Sequence, residues 1–424
     1  MSDGRPLPLM LYAGVTGLIE PWAPGLLRRR AQRGKEAPQR LNERLGRASI
    51  ARPNGPLAWL HGASVGESLS LLPLVEAIGA ARPDAQVLVT SGTRTSAELL
   101  ARRLPPGAIH QYAPIDGPRA VSRFLDHWKP DLAILVESEL WPNLLLQTRL
   151  SGSRMALLSA KLSDGSFRNW SRFPRSARAL LGGFDLVLAQ DARAAARLSA
   201  LGAQVAGLAD LKFGAAPLPA NRDDLQTLKV QIGERPLILA ASTHAGEDET
   251  VLDAFAAVAA SPRSPLLVIV PRHPERGPAV AELARSRGFS VSLRSAGQPV
   301  GPEQVHVADT LGELGLWFRL ARLAVIGGGF TAGIGGHNPL EPARLSCPFV
   351  SGPHVANWAN TYAELAEAGA GDAIADAGAL AGLMGAAMRD EPALTDRALK
   401  ARAYVEARDA EARAVPARVL ELLR

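Results

Sequence analysis

The chain has 424 residues, 47% hydrophobic and 21% charged, which excludes a single small module and suits two sizeable globular domains. Its one cysteine, Cys347, excludes an intramolecular disulfide and a cysteine-built zinc cage. The net charge of +6 is uneven: nine basic side chains face only Glu36 and Glu43 between Arg28 and Arg52.

Residues 7–22, LPLMLYAGVTGLIEPW, are apolar but broken by Glu20 and Pro21. The stretch is shorter than the ~20 residues of a spanning helix, and it lacks a small-residue cleavage site. With the basic residues behind it, it reads as a membrane-associating segment over residues 1–30 that lies on an anionic membrane surface. A buried first helix with a solvated charged flank is the alternative. No aromatic residues interleave with the arginines, so no nucleic acid partner is expected.

From residue 55 onward, short apolar runs alternate with helix-length periodic stretches. Strands are expected at 57–60, 86–90, 132–136, 155–158 and 185–189, with helices at 67–80, 95–103, 118–127 and 192–201 between them. A second series places strands at 237–241, 266–270, 291–293, 305–308, 323–326 and 348–351. Strand–helix alternation of this kind means parallel sheets covered on both faces. Two series mean an α/β protein of two Rossmann-like, doubly wound domains, expected at 31–213 and 223–405. The segment GAAPLPANR, residues 214–222, reads as the linker, and residues 406–424 as a closing C-terminal helix.

Ligands of doubly wound sheets bind outside the carboxyl ends of the strands, so the residues just beyond each strand carry the functional weight. The first such turn is HGASVGE, residues 61–67. Glu67 there is either a general base or the acidic half of an S-x-x-E capping box begun by Ser64. The strand at 132–136 ends in ESELWPN, where Glu137 and Glu139 leave on one side and their crowding would raise one pKa; helix-terminal charges are the ordinary alternative. Lys212, just before the linker, could reach a phosphate as a point charge.

In the second series, the strand at 266–270 runs into PRHPER, where Arg272 suits bidentate phosphate recognition. Gly312 opens another strand end. The densest feature is GGGFTAGIGGHNPLEP, residues 327–342, read as a glycine-rich phosphate loop opening a helix with Asn338 as N-cap, Pro339 at N1 and Glu341 at N3. There is no P-loop lysine signature and no G-x-S-x-G elbow. The eight histidines contain no H-x-x-x-H pair, so no metal site is expected.

In order along the chain, HGASVGE, SGTRTSAE, ESELWPNL, LKF, PRHPER, DTLGEL, GGHNPLEP and SGPH resemble the 3-deoxy-D-manno-octulosonic acid (Kdo) transferases of lipopolysaccharide assembly. The resemblance runs nearly end to end and departs at GGGFTAGIGGHN, where the family carries serine at the third position and a shorter linker. It implies a GT-B fold with two domains facing across a cleft. It also implies an inverting, metal-independent transferase on the cytoplasmic face of the inner membrane. CMP-Kdo would be the donor, a lipid A precursor (lipid IVA) the acceptor, and no cofactor would be needed. By the same resemblance Glu67 is the base, Glu137, Glu139 and Lys212 stabilise the transition state, and Pro271, Arg272, Leu311, Gly312, Glu313, Asn338, Pro339, Leu340 and Glu341 hold the CMP group. A nucleotide-sugar epimerase and a catalytically silent membrane-binding relative are the competing readings.

Overall fold

The computed structural model describes residues 5–423, which divide into two compact units. The first is Met1–Ala215 with Arg408–Arg424, the second Ala216–Ala407. Each unit is built on one seven-stranded sheet in which every pairing is parallel.

The first sheet comprises β1 (Leu57–Gly62), β2 (Gln86–Ser91), β3 (Ile109–Tyr112), β4 (Leu132–Val136), β5 (Arg154–Ala160), β6 (Leu186–Ala189) and β7 (Val205–Leu208). Their spatial order is β3-β2-β1-β4-β5-β6-β7. The central strands are buried throughout, as in LAILV of β4, because helices cover both faces of a parallel sheet. The two-residue period then sorts neighbours to opposite sides. Leu57 and Trp59 join Phe124, Trp128 and Leu135 in one core, while Ala58 and Leu60 join Leu71, Leu74 and Ile78 in the other. Val415, Val419 and Leu423 enter that second core, which is why the end of the chain belongs to the first unit.

The second sheet comprises β8 (Leu237–Thr243), β9 (Leu266–Pro271), β10 (Val291–Leu293), β11 (Val305–Val307), β12 (Leu323–Ile326), β13 (Phe349–Ser351) and β14 (Asp372–Ala373), in the order β10-β11-β9-β8-β12-β13-β14. In both sheets the chain reverses its direction of strand addition once. The switch lies between β1 and β4 in the first and between β8 and β12 in the second.

Three strands have no counterpart in the sequence expectation: β3, β7 and β14. The helix expected from residue 406 belongs to one continuous helix, Pro392–Leu420, because the Ala/Arg/Glu/Leu pattern is unbroken from Pro392 onward. Near the start, the helix Leu7–Ile19 buries only Leu9 and leaves Leu7, Met10, Leu11, Val15, Leu18 and Ile19 exposed, with Trp22 and Leu26 beyond it. The buried-first-helix alternative therefore does not hold. Polar groups fasten this helix instead. Tyr12 donates to Asp116 at 2.9 Å, Asn143 donates to the Thr16 hydroxyl at 2.9 Å, and buried Glu20 accepts from the Arg119 amide at 2.9 Å. Among the described residues no helix is long and apolar enough to cross a membrane.

Candidate active site

The first cluster sits at the β1/β4 switch point, where doubly wound sheets bind ligands. The turn after β1 leads into the helix Val65–Ala81, capped by the Ser64 side chain, and the returning carboxylate of Glu67 takes the Ala63 amide and the Ser64 hydroxyl in place of the Ser64 amide of a full capping box. The Glu67 amide donates to Ser64 Oγ at 3.3 Å, the Ser64 hydroxyl donates to Glu67 Oε1 at 2.7 Å, and the Ala63 amide donates to Oε2 at 2.8 Å. The cap is thus present, and it does not exhaust the carboxylate, whose two oxygens offer about four lone-pair sites. Glu67 is 8% exposed, yet Ser64, Val65 and Gly66 beside it are open to solvent. Burial pushes its pKa above the ordinary range; the Ser64 and Ala63 hydrogen bonds oppose that, and the charges of Glu137 and Glu139 add to it.

Glu137 follows β4 in the left-handed region, at φ +60°. Its carboxylate pairs with Lys161 at 2.6 Å and Lys212 at 3.7 Å. Glu139 takes different partners: His61 Nε2 lies at 3.2 Å, and the Trp141 indole N–H donates to the same oxygen. Behind His61, Thr90 Oγ1 is 2.9 Å from Nδ1 and accepts from Trp59 Nε1 at 2.8 Å. With its proton on Nε2 toward Glu139, His61 accepts from Thr90, and the chain of donors runs in one direction. The two carboxylates therefore do not crowd each other as the i, i+2 spacing suggested. Burial raises the Glu139 pKa, but hydrogen bonds from His61 and Trp141 outweigh it and hold the group below the usual carboxylate range. A cavity of about 300 Å³ opens here, lined by His61, Ala63, Thr93, Asp116, Glu139 and Trp141 among others.

The second cluster sits at the β8/β12 switch point of the other unit. Buried Glu247 organises it: Oε2 accepts from the amides of His244 at 2.9 Å and Gly328 at 2.8 Å, and Oε1 from Phe330 at 2.9 Å. Gly327 is required by close approach, since a Cβ there would stand 2.3 Å from the Ser242 carbonyl oxygen. The Gly336 and His337 amides close the loop onto the carbonyls of Gly328 and Gly327. So the amides of residues 328, 330, 336 and 337 are spent inside the protein, which narrows the part of the loop that can meet a phosphate. The helix that follows, Leu340–Arg344, has five residues and Pro339 as its N-cap, one residue later than expected. Asn338 still serves it, accepting from the Leu340 amide at 3.0 Å. Burial raises the pKa of Glu341.

His244 and His337 lie Nε2 to Nε2 at 2.8 Å with rings stacked 5.0 Å apart, so the pair shares a proton. Burial holds both below the ordinary histidine pKa, His337 at about 4. Arg272 extends β9 through its amide, bonded to the Thr243 carbonyl at 2.9 Å, while its exposed guanidinium makes no side-chain hydrogen bond or salt bridge among the described residues and acts on Glu341, His244 and His337 through its charge alone. Pro271 is the buried last residue of β9. Leu311 and Gly312 are exposed beyond β11, and Glu313 is tied to Arg294 and Thr310. These residues share the carboxyl edge of four contiguous strands, β11-β9-β8-β12. Among the described residues no cluster of histidine, cysteine or carboxylate side chains could hold a metal.

Residues 39–215 match the family model described as 3-deoxy-D-manno-octulosonic-acid transferase (kdotransferase). The 3-deoxy-D-manno-octulosonic acid transferase of Bordetella pertussis is 35% identical over 382 residues, covering 87% of each chain. The chain belongs to the Kdo transferase family. Two solved structures share its fold at low identity. A glycosyltransferase from Rickettsia africae has a TM-score of 0.54 at 11% identity, covering 88% of this chain and all of that one. The UDP-GlcNAc 2-epimerase of Neisseria meningitidis, bound to UDP-GlcNAc, has a TM-score of 0.52 at 12% identity, covering 83% and 99%. The GT-B fold serves transferases and epimerases alike, so it does not choose between them; the family match does.

For a Kdo transferase, several residues of these clusters lay outside the sequence expectation. Lys161 directly follows β5 and could have been found by the strand-end rule that found Glu137. His61 and His337 stand inside recognised motifs and His244 and Glu247 outside them, and the contacts that draw them into the clusters, with Glu139, with each other and with Gly328, span 78 to 93 residues of sequence.

Proposed function

We propose that this glycosyltransferase moves Kdo from CMP-Kdo to a hydroxyl of a lipid A precursor, with Glu67 as general base and inversion at the donor carbon. The observation that carries the assignment is Glu67 itself: a carboxylate with raised proton affinity, fixed by two hydrogen bonds, at the switch point of the first sheet. Glu67 takes the hydroxyl proton as the acceptor oxygen attacks the ketosidic carbon. The carbon–oxygen bond to phosphate breaks, and its electron pair leaves with CMP. Arg272, whose guanidinium is unspent, meets the leaving phosphate charge. Asn338 and Glu341, positioned by the loop that Glu247 fastens, and Glu313 and Leu311 beyond β11 suit the rest of the nucleotide. Lys161 and Lys212 on Glu137 give the first unit a local cationic pair that suits an anionic, phosphorylated acceptor. No step requires a metal.

Membrane association at the cytoplasmic face of the inner membrane is part of the same reading. The exposed residues Leu7, Leu11, Val15, Leu18, Trp22 and Leu26 follow three- and four-residue steps, forming a single apolar stripe, and Arg28, Arg29, Arg30 and Arg33 come next. The helix Leu7–Ile19 is about 20 Å long, short of the ~30 Å hydrocarbon core, so it lies on the membrane rather than across it. Changing Leu11 and Leu18 together to Asp forfeits ~1.5–3 kcal/mol per side chain, so partitioning onto anionic vesicles should fall by about 100-fold or more. Co-sedimentation measures this; unchanged binding would remove the stripe from the account.

The decisive test of function is mass spectrometry of the lipid after incubation with CMP-Kdo and lipid IVA. A product heavier by one or more Kdo residues is expected. Conversion of nucleotide sugar with no change in the lipid would favour an epimerase instead.

A further inference from the structure

The cavity at the β1/β4 switch point has features that the base alone does not explain. Trp141 is 46% exposed at its wall, unusual for an indole in a folded protein, while its N–H is held by Glu139. Glu139 is in turn held by His61, backed by Thr90 and Trp59. A buried run of side chains thus fixes the orientation of one exposed aromatic ring. The rest of the lining sets the polar side chains Arg44, Thr93 and Asp116 among apolar Ala113, Pro114, Ile115 and Leu144, and the volume of about 300 Å³ is at the lower end for small-ligand sites. A fixed aromatic plate beside a polar rim suits a pyranose ring, which offers an apolar C–H face to the plate and hydroxyls to the rim.

Two neighbours say which sugar. Ala63 lines the cavity, and its amide is bonded to Glu67 at 2.8 Å, so an occupant lies beside the base. Asp116 also lines it, and the same carboxylate accepts from Tyr12 of the helix whose outer side is the apolar stripe. Asn143, two residues after Trp141, bonds to Thr16 of that helix at 2.9 Å. The cavity wall and the membrane-facing helix are therefore joined through shared residues.

We propose that this cavity is the acceptor sugar site, with one pyranose ring of the phosphorylated glycolipid stacked on Trp141 and its reacting hydroxyl turned toward Glu67. Glu139 is then a positioning residue that aims the indole rather than an acid or base. The inference rests on the transferase reading above. Its test is steady-state transfer with acceptor and donor varied separately. Trp141→Ala should raise the acceptor KM by about tenfold or more, the equivalent of one aromatic stack, with the donor KM unchanged. Trp141→Phe keeps a stacking face but loses the indole N–H, and should recover most of the acceptor affinity. A second measurement guards against misfolding: the deacylated disaccharide phosphate should change the fluorescence of the wild-type protein and change that of Trp141→Phe less, while still binding it. Equal loss of kcat in both variants with the acceptor KM unchanged would overturn the site and leave transfer itself intact. Absence of lipid glycosylation by the wild-type protein would overturn the transferase reading and this inference together.

Discussion

Glu67→Gln should lower kcat for transfer by about a thousandfold while leaving donor binding and the fold in place. The substitution keeps the side-chain length, so the helix Val65–Ala81 retains a partial cap. A glutamine carbonyl can accept from the Ala63 amide or the Ser64 hydroxyl, but not fully from both, and the loss should be about 1 kcal/mol of stability. That small structural cost against a large kinetic one separates a base from a mere cap. Glu67→Asp retracts the carboxylate from Ala63 and Ser64 and should be impaired in both respects. The pH profile gives an independent sign. Burial raises the pKa of Glu67, and the charges of Glu137 and Glu139 push the same way, so the carboxylate is protonated over more of the acid range than an ordinary glutamate. A base works deprotonated, so kcat/KM should fall as pH drops through this raised pKa, and the limb should vanish in Glu67→Gln. A Glu67→Gln protein within a few-fold of wild-type turnover would leave the residue with its cap alone.

Much of this architecture is legible in the residues because parallel sheets bury their central strands on both sides. LAILV of β4 and LILAAST of β8 are nearly continuous apolar runs, and such runs stand out between helices. The strands that escaped notice are edge strands. IHQY of β3 is half polar, VAGL of β7 is broken by Gly207, and β14 has only Asp372 and Ala373. An edge has one neighbour and less burial, so it carries less apolar signal. The site shows the same division. Ser64 and Glu67 are three residues apart, and their cap is a local fact that sequence spacing exposes. Glu139 and His61 are 78 residues apart, and nothing in either motif says that they meet. The glycine-rich loop is legible only in part for a related reason. Its composition invites a phosphate, but nothing in it says that Glu247, 81 residues before Gly328, takes the Gly328 and Phe330 amides.

That occupation makes Glu247 the residue whose loss should most damage the second unit. Its carboxylate is fully buried and accepts three backbone N–H groups, from His244, Gly328 and Phe330. Glu247→Ala strands all three. Each buried, unsatisfied amide costs ~1–3 kcal/mol, and entering water recovers part of it, so a net loss of about 3–5 kcal/mol is expected. Glu247→Gln is gentler: its one acceptor oxygen can serve some of these amides, but its NH2 group must face another N–H. The functional effect follows from where the loop leads. Gly327 and Gly328 receive the His337 and Gly336 amides, and Asn338 and Glu341 come directly after, so a loosened loop displaces the proposed nucleotide contacts together. Misplacement of about 1 Å can cost ~100-fold, and kcat/KM for the donor should fall by that order in Glu247→Ala, with acceptor affinity retained. Thermal unfolding and donor titration measure the two effects in one preparation. Glu282→Gln, on an exposed helix face of the same unit, is the control and should stay within ~0.5 kcal/mol of wild type. If Glu247→Ala matched that control in both stability and donor kinetics, the loop would be held by its glycine packing alone, and Glu247 would have no part in shaping the donor site.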